Sequence, residues 1–134
     1  MHHIKERYVP LIACMLFYFW VFWLFHKQFQ AHAIIQTFLL CLFLNTMFTF
    51  LMTIFHKVSM HAAAWGSVCA FGVLLVFNSV HGSVCFLIAS ILIGGLVLSS
   101  RLLLEAHVKR EVYTGLASGV IALSLSFFLI HLLN

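Results

Sequence analysis

The sequence predicts an all-α fold: one integral membrane helical bundle that crosses the bilayer about five times. Three observations predict it. Of 134 residues, 64% are hydrophobic and 7% charged, where an ordinary soluble domain carries roughly 25% charged residues. A soluble fold this small has too much surface for its volume to hide that apolar content, whereas lipid as the solvent removes the difficulty. The apolar residues also fall into runs near the roughly 20 residues that a helix needs to span hydrocarbon, separated by polar junctions. No polar stretch is long enough for a linker or second domain, so residues 1–134 read as a single membrane-embedded domain.

The first span runs from about Tyr8 to Phe25, with Trp20 and Trp23 toward its far end. The basic residues before it resemble the start of a signal peptide, but the apolar run is too long and no small-residue cleavage site ends it, so it reads as a retained helix. His26, Lys27, Gln28 and Gln30 break the pattern, and a second span covers about Ala33 to Phe55. Its Thr37, Asn45, Thr46, Thr49 and Thr53 are expected to bond other helices or their own backbone. After His56–His61 a third helix runs from about Ala62 to Phe77, and the turn residues Asn78–Ser83 lead into a fourth, about Val84 to Ser99. Both are short for a full crossing and are expected to tilt around a recessed site. A charged junction, Ser100 to Glu111, precedes the fifth helix, about Val112 to Leu133. Gly115 and Gly119 form a GxxxG pair on this helix and Gly94-Gly95 mark the fourth, which are packing signals. Cys14, Cys41, Cys69 and Cys85 lie inside apolar runs without a CxxC pair and read as small hydrophobes between helices.

Five crossings place alternate junctions on alternate sides. Lys5, Arg7, Lys57, Arg101, Lys109 and Arg110 then share one side with Glu6, Glu105 and Glu111, leaving Lys27 as the only basic residue opposite. Two explanations compete: the positive-inside rule, which makes that side cytoplasmic, and an anion site on which basic groups converge.

Two junctions on this side each pair a histidine with basic and small polar residues. Lys57, Ser59 and His61 stand at the start of the third helix, where unpaired backbone N–H groups favour an anion. At the other, Arg101 offers a planar fork of donors for phosphate oxygens, and His107 can act as nucleophile or base. Glu111, four positions on, lies beside the imidazole if the two share a helical face, and can fix its tautomer.

The string Ser100-Arg101-x5-His107-x3-Glu111 resembles the third signature of the type 2 phosphatidic acid phosphatase superfamily, Ser-Arg-x5-His-x3-Asp. Lys57-Val58-Ser59-Met60-His61 is similar to the second signature, Pro-Ser-Gly-His, and to the Lys-Ile-Ser-x-His of short members. The resemblance covers residues 5–120 and rests on the third signature. It departs from the family at Glu111, where the family has Asp, at Met60, where the family has Gly, and at Lys5, Arg7 and Pro10, whose spacing does not fit the first signature. The family core usually has one helix more, so an N-terminal helix is expected to be missing.

The resemblance implies a lipid-phosphate phosphatase. His107 would form a phosphohistidine, Glu111 would orient it, and His61 would protonate the leaving group. Arg101, Ser59, Lys57 and Arg7 would hold phosphate oxygens, with no metal or cofactor. Expected partners are a lipid phosphate and membrane lipids, with no nucleic acid, in a bacterial inner membrane. The family's bacterial members often work on the outer face, in conflict with the charge count. Two other classes stay open: a non-catalytic relative that binds anionic lipid or a partner protein, and a haem or metal protein using its histidines. Taken singly, each junction histidine also reads as an interfacial polar residue, and the arginines as topology signals.

Overall fold

The computed structural model describes the backbone of residues 2–104 and 108–134, and their side chains except those of residues 2–5 and 7. Five helices follow one another: α1 (His2–Lys27), α2 (Ala33–Phe55), α3 (Met60–Phe77), α4 (Ser83–Leu103) and α5 (Lys109–Leu133). No strand occurs among the described residues. Each helix holds 18 to 25 residues apolar enough to cross a membrane, and the chain is an integral membrane protein. At 1.5 Å per residue even α3 extends about 27 Å, against roughly 30 Å of hydrocarbon. The expectation of a short fourth helix is corrected here. α4 has 21 residues, because Ser100–Leu103 continue it through Arg101 instead of forming a junction.

The distribution of side chains is inverted relative to a water-soluble fold. Large apolar residues such as Trp20, Phe55, Phe77 and Leu96 point outward, while Gln36, Thr37, Asn45, Thr49, Ser67 and Ser126 are buried. Lipid is as apolar as leucine, so burying large side chains gains little, and close packing of small and polar groups takes over. The cysteines divide by this rule. Cys41 is buried and Cys69 half-buried, but Cys14 and Cys85 are exposed, so packing between helices does not explain those two.

The chain divides into two compact units, Met1–His56 with Ala122–Asn134, and Lys57–Ile121. In the first, α1 packs on α2, with Tyr8 edge-on to Phe50 at 5.5 Å and Phe19 against Phe43 at 5.4 Å. A polar clasp closes the hairpin. The Gln36 side chain donates to the Ala31 carbonyl at 2.6 Å, which leaves its Oε1 to accept from His26 Nδ1 at 3.0 Å. Along α2 the threonines spend their protons on their own backbone: Thr37 on Ala33, Thr46 on Leu42, Thr49 on Asn45 and Thr53 on Thr49, at 2.6–2.8 Å. Asn45 differs, because its buried Oδ1 has no hydrogen-bond partner among the described residues.

In the second unit α3 packs against α4, and α5 meets α3 backbone to backbone. A Cβ added at Gly115 would lie 2.8 Å from Ser59 O and from Ala62 Cβ, and one at Gly66 would lie 2.5 Å from Leu116 O. At Gly119 it would collide with Ala63 O. The GxxxG pair is thus the contact line between α3 and α5. Of the glycines on α4, Gly94 carries the Trp65 ring 3.3 Å from where its Cβ would be, and Gly95 faces open space. The α3–α4 turn needs Gly82, whose φ of +76° strains any residue with a side chain.

Two stability measurements follow from this packing. Gly119→Ala must push two backbones apart and should lower stability by about 1–3 kcal/mol. Gly95→Ala should be neutral or stabilise by up to about 1 kcal/mol, through helix propensity alone. Equal unfolding midpoints in detergent for the two variants would contradict the α3–α5 contact. Replacing Asn45, whose buried Oδ1 has no partner among the described residues, with leucine should raise stability by about 1–3 kcal/mol; a fall would mean that the carboxamide has a bonding partner in the folded protein.

Candidate functional site

The site is built where α3 begins, α4 ends and α5 begins, all within the second unit. Ser59 starts α3 because its side-chain oxygen replaces a missing helical acceptor: Oγ accepts from the Ala62 N–H at 3.4 Å. Its own N–H points to the carbonyl of Glu111 at 3.4 Å and ties the first turns of α3 and α5 together. Val108 caps α5 by accepting from the N–H groups of Glu111 and Val112, which puts Glu111 in the first turn, where a carboxylate suits the positive end of the helix dipole.

The central contact is between residues 40 positions apart. Arg101, half-buried on the last turn of α4, places Nη2 3.0 Å from Nε2 of His61, exposed on the first turn of α3. A guanidinium has donors only, so the histidine nitrogen must accept. His61 in this contact is therefore a neutral imidazole with its proton on Nδ1.

The structure brings together four of the residues singled out from the sequence: His61 and Arg101 directly, and Ser59 and Glu111 through their backbones. Lys57 is exposed two residues before Ser59. Arg7 belongs to the first unit and its side chain lies outside the described residues, as do Glu105, Ala106 and His107. The pairing of His107 with Glu111 lies outside them too. Ser59 is fully buried, with Oγ engaged as the cap, so its demonstrated task is to start α3. Among the described residues no group of three or more histidines, cysteines or carboxylates is placed to hold a metal ion.

From sequence Gln36 draws no notice and His26 reads as interfacial, whereas in the structure the two hydrogen-bond each other across the α1–α2 turn. A polar residue in the first turn of an apolar helix was the available signal, but it names no partner.

Comparison with protein-family models, with curated proteins and with solved structures finds no match to this chain.

The capping role of Ser59 has a direct test. Ser59→Ala should lower stability by about 1 kcal/mol, the ordinary loss on removing an N-cap. An unchanged unfolding midpoint in detergent would show that the hydroxyl is free for other work.

Proposed function

We propose that this chain is a metal-independent lipid-phosphate phosphatase of a bacterial inner membrane, a short and divergent relative of the type 2 phosphatidic acid phosphatases. Its substrate is a phosphomonoester or pyrophosphate at a lipid headgroup. The observation that carries the reading is the 3.0 Å contact of Arg101 with His61. It joins the two junctions on which the second and third signatures of that superfamily fall, 40 residues apart in the chain. The α3–α4 hairpin brings these helix ends together, and the side chains that meet there are the histidine of one signature and the arginine of the other.

In the proposed reaction the phosphate lies against the guanidinium of Arg101, with Lys57 as a further cationic ligand. An imidazole nitrogen of His107 attacks phosphorus, and a P–N bond forms as the bond to the leaving oxygen breaks. His61 gives that oxygen its proton, the usual task of a general acid. Water, deprotonated by His61, then attacks the phosphohistidine and releases phosphate. Glu111 holds the His107 imidazole. The arginine and lysine supply the positive charge that stabilises the developing oxyanions.

One observation favours a second reading, a non-catalytic relative that binds anionic lipid. Ser59 is fully buried as a helix cap, so one expected phosphate ligand is already engaged.

Phosphate release from a panel of lipid phosphates, by detergent-purified protein with EDTA present, separates the two. The wild type should release phosphate and His107→Ala should not, while His61→Ala should be slower by about 10²–10⁴-fold. No release from any lipid by folded wild-type protein would move the assignment to the binding reading, and undiminished release by His107→Ala would remove this site as the catalyst.

A further inference from the structure

His61 and Arg101 occupy each other in a way that constrains what happens when an anion arrives. The Arg101 Nη2 group donates to His61 Nε2 at 3.0 Å, so that nitrogen carries no proton in this state. A tetrahedral oxyanion and His61 compete for the same guanidinium. Once the anion holds Arg101, His61 Nε2 faces acceptor oxygens and can bond to them only by carrying a proton itself.

The elements packed against the first turn of α3 bring mainly positive charge. Arg101 comes from α4, and Lys109 and Arg110 stand with Glu111 at the start of α5; Lys57 precedes α3 itself. Glu111 is the one acid of this set among the described residues. An imidazolium beside the Arg101 guanidinium sets two like charges against each other, whereas a dianion between them compensates both. His61 is also exposed, so solvent can deliver the proton.

We infer that a tetrahedral dianion binds here by displacing His61 from Arg101, with one proton taken from solvent onto His61 Nε2. Atoms and charge balance simply. The N–H···N bond from Arg101 to His61 breaks, the guanidinium donates to the anion, and the new Nε2–H donates to another anion oxygen. The inference rests on the phosphate-site reading of Arg101 and His61 and adds to it. Substrate binding would itself charge the general acid, which is neutral in the empty pair.

The test uses sulfate, a tetrahedral dianion that stays unprotonated near neutral pH, so any proton taken up goes to the protein. Sulfate affinity is measured by calorimetry on the full chain in detergent, from pH 6 to 8, in two buffers of different ionisation enthalpy. The wild type should bind sulfate with a buffer-dependent heat reporting uptake of up to one proton, and its affinity should fall by up to tenfold per unit rise in pH. His61→Gln should still bind sulfate, with no buffer dependence and a flat profile. Arg101→Gln should lose binding. Wild-type binding without proton uptake, or uptake unchanged in His61→Gln, overturns the coupling but leaves the phosphatase reading standing. Proton-linked binding in a protein that releases no phosphate from any lipid sinks the phosphatase reading alone. Failure of the folded wild type to bind sulfate overturns the site and the coupling together.

Discussion

The backbone contact between α3 and α5 is the constraint from which the second unit takes its form. In hydrocarbon, helices gain little by bringing leucines together, and association depends on how closely backbones approach. Gly66, Gly115 and Gly119 allow that approach, with Ala62, Ala63 and Ser67 on the facing surface of α3. A consequence lies at the end of the contact line. With Gly115 against Ser59, the Ser59 N–H lies within reach of the Glu111 carbonyl, and the first turns of the two helices are held level. Packing along the first turns of α3 and α5 thereby sets the geometry of polar groups at the helix ends.

The fourth helix completes the arrangement. Its extension through Leu103 carries Arg101 to the level of the first turn of α3, where the guanidinium meets His61. A helix ending at Ser99 would leave Arg101 on an irregular segment with no fixed direction. The site stands at helix ends for an electrostatic reason as well. Charged groups are expensive at the bilayer centre, and at the ends of spans they can reach water or headgroups. The proposed reaction on a lipid phosphate would use its cations at that same depth.

The roles of the individual residues are less uniform than their proximity suggests. Ser59 starts a helix, and its burial follows from lying under the α3–α5 contact. Glu111 serves at least through its backbone, as the acceptor that aligns α5 with α3. His61 and Arg101 meet through their functional groups, and a donor-only guanidinium leaves the imidazole neutral. The first unit follows the same rule of spending polar groups internally. Gln36 clasps the α1–α2 turn, the α2 threonines bond their own backbone, and Asn45 Oδ1 departs from it.

The sequence by itself determined the solvent, the number of spans and most of their limits. Apolar runs of bilayer length separated by polar junctions admit little else, and turn residues such as Gly82 mark ends through local backbone physics. It also showed Gly115 and Gly119 as a packing pair, because spacing by one helical turn is a local property. The end of α4 escaped it, since Ser100 and Arg101 look like a junction, yet the helix continues while its own hydrogen bonds remain satisfied. The tertiary structure alone decided that Arg101 faces His61, that Gln36 finds His26, that Ser59 lies fully buried, and that Cys14 and Cys85 turn outward. Each of these depends on the rotation of one helix against another. That rotation is set by the sum of many small contacts across the interface, and no single stretch of chain contains it.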